Sequence, residues 1–367
     1  MLFHWYLFVF LILLHTVAKA ANQRYQVYVA GEYEGRYKWF TAMAVICVLS
    51  YVAAMRNERF LDTLSYINNY LKSDPSWEGI LHIIQGDGKD KVFYVLTAIL
   101  HGLFGDRYRA YLGVIAGFCL FCVISVYRKH SSNFFVSVFL FIASGEFVMW
   151  THNGMRQFIA VSMVFAATDL LLKKKYLLYA VIVLIASTFH GSALVMIPVL
   201  LVVQGKAWNI KAIAMVLAIL AVSSSSSVLN ELLLGVMENT QYANDVDALL
   251  ATGGTNALRV VVFAIPPLMA LFFRRKLMAL DVPLINLATN MSIVSLGVYI
   301  ISMFTSGIYI GRMPIYFSLY NYLLLPWLVE RFFEKSSAKL IYLAIIACYM
   351  GYYYYQMHIV WGAVTAL

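Results

Sequence analysis

The sequence predicts an all-α, polytopic transmembrane helical bundle, and three observations carry that prediction. Of 367 residues, 62% are hydrophobic and 12% are charged, whereas a soluble domain carries roughly 25% charged residues. Apolar runs of about 20 residues, the length that crosses bilayer hydrocarbon, recur from one end of the chain to the other, and the mean hydropathy is +0.77. Aromatic residues reach 16%, with 26 Tyr and 24 Phe, as expected where amphipathic rings line both lipid–water boundaries.

The elements follow in order. The run Leu2–Ala18 ends in Ala18-Lys19-Ala20, which resembles a cleavage site. No Lys or Arg precedes it, so the charged region of a secretion signal is missing, and a first transmembrane helix is expected. Further spans are expected at Trp39–Met55, Arg109–Tyr127, Phe134–Thr151, Arg156–Leu172, Lys211–Ser227, Val260–Phe273, Leu284–Phe304, Pro314–Val329 and Leu340–Tyr355. The apolar stretch Tyr176–Val203 is interrupted at His190-Gly191-Ser192 and reads as one kinked span or two short ones. The total is roughly 11–12 membrane segments. They form a single integral membrane domain over 1–367, with no internal repeat and no soluble module.

Orientation follows the basic residues. Arg128-Lys129, Lys173-Lys174-Lys175, Lys206 with Lys211, Arg274-Arg275-Lys276, and Arg331 with Lys335 and Lys339 sit in short connectors. Placing them in the cytoplasm together with Lys19, Arg24, Arg36 and Lys38 satisfies the positive-inside rule. The net charge of +9 then belongs to loops facing anionic lipid, and no nucleic-acid partner is expected. Extracytoplasmic loops fall at 56–108, at 228–259, which is acidic, and at 305–313. The serines Ser223–Ser227 close a helix at the outer surface. Within the first loop, Val92–Phe104 is too short to span and suits an interfacial helix. All four cysteines lie in apolar runs. Cys119 and Cys122 lack a second ligand pair, so neither zinc nor a disulfide framework is expected.

Charges at membrane depth cost roughly 2.5–3.5 kcal/mol each on insertion scales and therefore point to chemistry. Asp169 stands one turn from Lys173, and an i,i+4 ion pair accounts for it. Glu146, about one turn inside the outer surface, has no basic neighbour in sequence. Arg156, in Asn153-Gly154-Met155-Arg156-Gln157, opens a helix without a local acid. A guanidinium beside helix N-terminal amides suits a carboxylate or phosphate. Arg312, in Tyr309-Ile310-Gly311-Arg312, is a second such arginine, with Pro314 starting the next helix. His190, at the break of its apolar stretch, suits a base or donor role as well as a core hydrogen bond. In the first loop, Arg59, Asp62 and Tyr66 share one face if the segment is helical, as a surface ion pair or as part of a site.

These residues resemble the EpsG family of Wzy-type polysaccharide polymerases. The resemblance rests on Asn153-Gly154-Met155-Arg156-Gln157 with Ala160, the basic patch Lys173–Lys175, and Phe189-His190-x-Ser192-Ala193-Leu194 with Pro198. Looser matches are Arg59-x-x-Asp62-x-x-x-Tyr66, Phe93-Tyr94 and Tyr309-x-Gly311-Arg312. The resemblance implies an architecture related to the membrane glycosyltransferase C (GT-C) class and metal-independent glycosyl transfer without a cofactor. Its substrates would be undecaprenyl-pyrophosphate-linked glycan donor and acceptor, joined at the outer face of a bacterial inner membrane. A chain-length regulator and a flippase of the same pathway are the implied partners besides membrane lipid. Arg156, Arg312 and Arg59 would bind pyrophosphate, with Asn153, Gln157, Tyr66 and Tyr309 beside them, and Asp62, His190 or Glu146 would act as base. The approach Asn57-Glu58-Arg59-Phe60-Leu61 departs from the family in lacking a glycine. The other functions these residues allow are a lipid-linked glycan flippase, a glycan ligase and a membrane O-acyltransferase.

Overall fold

The computed structural model describes residues 2–223 and 253–362, which are helical except for one two-stranded sheet and the connecting turns. The expected apolar spans are largely helical where they are described, with Pro314–Val329 broken at Leu319-Tyr320. Tyr108–His130, Met155–Leu172 and Pro283–Met303 are long and apolar enough to cross a membrane, and two bent pairs raise this to five if each pair is one span. The chain is an all-α polytopic membrane protein. The loop expected at 228–259 lies outside the described residues up to position 252, as does the serine run beyond Ser223. The chain forms two compact units, Met1–Leu194 with Lys335–Leu367, and Val195–Glu334.

In the first unit, α1 (Leu2–Ala20) leads into a hairpin of β1 (Arg24–Val29) and β2 (Glu32–Tyr37), which the charge pattern presented as a plain basic loop. Val29 pairs with Glu32 across the two-residue turn Ala30-Gly31, whose φ values of 50° and 87° match the twist that tight hairpins require. Arg36 serves as a clamp. It is buried, its Nε donates to the Lys129 carbonyl at 2.9 Å, and its Nη2 meets Glu34.

Three long helices form the centre: α2 (Trp39–Ala54), α6 (Tyr108–His130) and α9 (Met155–Ala166), which continues after a break at Ala167 as α10 (Thr168–Leu172). The close approach of α2 and α6 comes from small residues one turn apart. A Cβ on Gly113 would lie 3.3 Å from the Ala54 Cβ, and one on Gly117 would lie 3.5 Å from the Ser50 Oγ. Small residues spaced by four are how membrane helices gain van der Waals contact where lipid offers no hydrophobic drive. Between α2 and α6, the segment 56–108 forms three short helices, α3 (Thr63–Leu71), α4 (Trp77–Gln85) and α5 (Lys91–Phe104). Tyr70 pins them to α6 by stacking on Tyr111 at 4.4 Å and donating its hydroxyl to the Gly105 carbonyl at 2.6 Å.

The expected span Phe134–Thr151 is bent by 61° between α7 (Phe134–Ala143) and α8 (Glu146–His152). Gly145 makes the bend with φ 79°, and a Cβ there would meet the Trp361 ring at 3.4 Å. Asp169 does not rest on Lys173. It pairs with Lys129 and, at 2.8 Å, with His130, because the end of α6 comes closer to it than its own helix's next turn. The stretch at 176–203 divides at His190, where α11 (Tyr176–Phe189) ends in extended backbone.

The second unit centres on the helix Pro283–Met303. Asn286 and Asn290, one turn apart on it, accept the Ala207 and Trp208 amides at 3.0 and 3.1 Å. The Asn290 Nδ2 donates to the Val203 carbonyl at 3.0 Å. Both buried amides thus satisfy backbone that the turn between two apolar helices leaves open. The segment before Arg312 is held by glycine. A Cβ on Gly254 would overlap the Met303 carbonyl, a Cβ on Gly311 would lie 2.5 Å from the Thr255 Oγ1, and the Gly307 amide donates to the Gly253 carbonyl at 3.0 Å.

Candidate functional site

In the first unit, stretches far apart in sequence meet around Arg156. The turn Asn153-Gly154 starts α9, so the Arg156 side chain emerges in its first helical turn. Its Nη1 donates to the Asp90 carboxylate at 2.9 Å and lies 3.4 Å from the Tyr94 hydroxyl. The Tyr94 ring centre is 5.9 Å from the guanidinium carbon. The Tyr66 hydroxyl accepts from the same guanidinium and donates to the Asn153 carbonyl at 3.0 Å.

Asp90 is the residue that sequence reading missed. It ends the turn Gly86-Asp87-Gly88-Lys89 and adopts left-handed backbone (φ 55°), which an aspartate tolerates better than most residues. Its carbonyl caps α5 by accepting the Phe93 amide at 3.0 Å. Its side chain is 7% exposed and that of Arg156 is 35% exposed. Burial holds the Asp90 carboxyl above the usual carboxylate range, against the opposing pull of Arg156, the Gly191 N–H and Lys89. The only advance signal for Asp90 was an acidic residue between glycines and a helix start. Its pairing with Arg156, 66 residues away, depends on how the helices pack.

The Gly191 contact brings the end of α11 to the same place. His190 itself is half-buried, with Nδ1 2.7 Å from the Ser192 Oγ. A second missed residue is Arg56, which follows α2. It is buried, its Nη1 donates to the Thr151 carbonyl, and its Nη2 lies 2.9 Å from the Met155 sulfur. Burial pushes its guanidinium down to about 10, with the Tyr66 and Tyr111 hydroxyls acting in the opposite direction. It therefore stays charged at neutral pH. The Tyr66 hydroxyl is in electrostatic reach of both arginines.

The cluster thus gathers Arg56, Tyr66, Asp90, Tyr94, Asn153, Arg156 and the His190-Gly191 break. Gln157 is buried beside it on α9. Arg59 and Asp62 are exposed on the surface. Leu61 takes left-handed backbone (φ 54°) and α3 begins at Thr63, so Arg59 and Asp62 do not share a helical face. Glu146 is buried in the first turn of α8, within electrostatic reach of Tyr349 on the C-terminal helix Lys335–Tyr354. Tyr309 and Arg312 belong to the second unit, where Arg312 ends a single 3₁₀ turn and Tyr309 donates its amide to the Ser306 Oγ at 3.2 Å.

The site presents a partly exposed guanidinium with five N–H donors, of which Asp90 engages one nitrogen. Beside it stands a carboxylate poised to take a proton, with a second positive charge behind. That combination suits a phosphate ester and an attacking hydroxyl. No curated protein and no solved structure matches the chain. The EpsG family model matches residues 39–362, a range that takes in every residue of this cluster, and the chain belongs to the EpsG family, a Wzy-type family of polysaccharide polymerases.

Proposed function

We propose that the protein joins oligosaccharide repeat units carried on undecaprenyl pyrophosphate, at the outer face of a bacterial inner membrane, with an active site built on Arg156 and Asp90. The family supplies the general role of polysaccharide polymerase. The observation that carries the finer reading is the half-exposed Arg156 guanidinium bonded to a largely buried carboxylate.

In this reading the acceptor sugar hydroxyl gives its proton to Asp90 as its oxygen attacks the anomeric carbon of the donor. The bond from that carbon to the diphosphate oxygen breaks, and the electron pair leaves on the diphosphate. Arg156 takes up that charge through the N–H groups that Asp90 leaves open, and Tyr66 and Tyr94 hold the guanidinium in place. Arg56 adds positive potential from behind without touching substrate. Preorganised donors of this kind stabilise developing charge in place of a metal ion. Both substrates are tethered to the bilayer, so the enzyme mainly aligns two chain ends. Asp90 takes the role that the resemblance distributes among Asp62, His190 and Glu146. His190 shapes the break whose Gly191 amide steadies the base.

Glycan chain length tests the reading in cells deleted for this gene and complemented with wild type or Arg156→Ala. A ladder restored by wild type and reduced to one repeat unit by Arg156→Ala is the expected result. A normal ladder in Arg156→Ala, or repeat units stranded on the cytoplasmic leaflet as a flippase defect would leave them, overturns it.

A further inference from the structure

Beside the Arg156 cluster, the segment 56–108 encloses an open cavity of about 780 Å³. It lies among α3, α4 and the turn that leads into α5, and Tyr94 belongs to both its lining and the Arg156 cluster. Its size falls within the roughly 300–1,000 Å³ of pockets that hold small ligands. The lining combines Ile83 and Tyr94 with the polar residues Asn69, Lys72, His82 and Asp87. An apolar ring face edged by hydrogen-bonding groups is the complement of a sugar, whose C–H faces and hydroxyls alternate in the same way.

The wall is built as well as lined. Asp74 accepts the Ser76 amide at 2.8 Å, and the Ser76 hydroxyl accepts the Gly79 amide at 3.0 Å, fixing the start of α4. The Ser76 bonds hold the Asp74 carboxyl below its usual range, so this support stays charged in mildly acidic surroundings. The Lys91 ammonium donates to the Ile84 carbonyl at 3.0 Å and ties the end of α4 to the start of α5. A Cβ on Gly86 would sit 3.1 Å from the His82 carbonyl, so the turn closes tightly there. A Cβ on Gly88 would meet nothing within 4 Å.

We infer that this cavity is the subsite for the repeat-unit oligosaccharide, holding the sugars next to the bond being made. The inference rests on the polymerase reading above and assigns that reaction's glycan to Asn69, Lys72, His82, Asp87 and Tyr94. Donor and acceptor present the same repeat-unit chemistry, and Tyr94 carries the bound sugar to the Arg156–Asp90 pair.

The test uses the full-length protein in nanodiscs, with glycan binding read by saturation-transfer NMR and pyrophosphate binding by titration calorimetry. The probes are the host's single repeat unit, its two-repeat oligosaccharide, both released from the lipid, and inorganic pyrophosphate. Gly88→Trp and Asn69→Trp fill the cavity from an open turn and from an exposed helical position, so neither threatens folding. Each is expected to weaken glycan binding at least tenfold and leave pyrophosphate binding unchanged, while Arg156→Ala does the reverse. Loss of the single repeat identifies the acceptor as the occupant, and loss of the two-repeat glycan alone identifies the growing chain. Either outcome supports the subsite. Wild-type glycan binding in both filled variants, or no glycan binding by the wild type, overturns it. The polymerase reading fails separately, on the chain-length ladder, because binding needs no turnover.

Discussion

Replacing Asp90 by asparagine separates charge from shape at the centre of the site. The amide keeps the size of the side chain and can still accept the Gly191 N–H, but it can no longer take a proton. The pair it breaks has a 2.9 Å contact with one partner 7% exposed and the other 35% exposed. Losing a fully buried partner costs about 3–5 kcal/mol, but water reaches the guanidinium left behind and the burial penalty on the carboxylate disappears with its charge, so a change of under ~1 kcal/mol is expected here at neutral pH. Loss of a general base slows a reaction by ~10²–10⁴-fold. Elongation of lipid-linked repeat units by protein in nanodiscs, read as ladders, measures the rate, and a thermal melt of the same sample measures stability. The pH dependence adds a second signature. Since burial holds the Asp90 carboxyl above the usual range, wild-type elongation should fall on acidification through that raised value, and the asparagine variant should lose this limb. Stability follows the same group. Its contribution is full below the unfolded carboxylate value of about 4 and is lost as pH rises through the folded value, so Asp90→Asn should flatten that slope. An Asp90→Asn protein that elongates within about threefold of wild type, well short of what a lost base costs, would refute the assignment of the base.

Further outcomes follow from the packing. Gly117→Leu on α6 should destabilise by ~1–3 kcal/mol by overpacking against Ser50, while Gly351→Leu, with nothing within 4 Å of its Cβ, serves as a neutral control in the same thermal melt. Gly145→Ala should cost about 1–2 kcal/mol through its left-handed backbone, and the melt should show it while the ladder keeps its length if the bend survives. Asp169→Asn should cost under ~1 kcal/mol, since the pair is partly exposed, and Lys173→Ala should cost nothing measurable; a larger effect at Lys173 would return Asp169 to its own helix.

The fold class was legible because it depends on composition and run length, which are local properties of the chain. The helices over the apolar runs come from the same source. The hairpin at 24–37 was not legible, because its basic residues matched the charge bias of a cytoplasmic loop, and that signal masked the Tyr-x-Val-x-Val alternation before Ala30-Gly31. Asp169 was assigned to Lys173 because an i,i+4 pair is visible in sequence. The contact with Lys129 and His130 depends on how closely the end of α6 approaches α10.

The candidate site shows the same division. Arg156, Asn153 and Tyr66 stood out as a charged or polar residue at a helix start or on a loop, and the structure brings these three together. Asp62 and Arg59 were equally prominent in sequence, but the left-handed Leu61 turns that segment before the helix forms, and they remain exposed. Asp90 and Arg56 were overlooked for opposite reasons. Asp90 looked like one more loop acid among Asp74, Glu78 and Asp87, and only the packing of α5 on α11 sets it apart. Arg56 stands at the end of an apolar run with nothing in sequence to set it apart from the other arginines of its loop, yet it turns inward to the Thr151 carbonyl. No carboxylate among the described residues forms an ion pair with it. A buried guanidinium without an acid is costly to keep, and in the proposed reading its position behind Tyr66 adds its charge to that of Arg156 where an anionic leaving group would form.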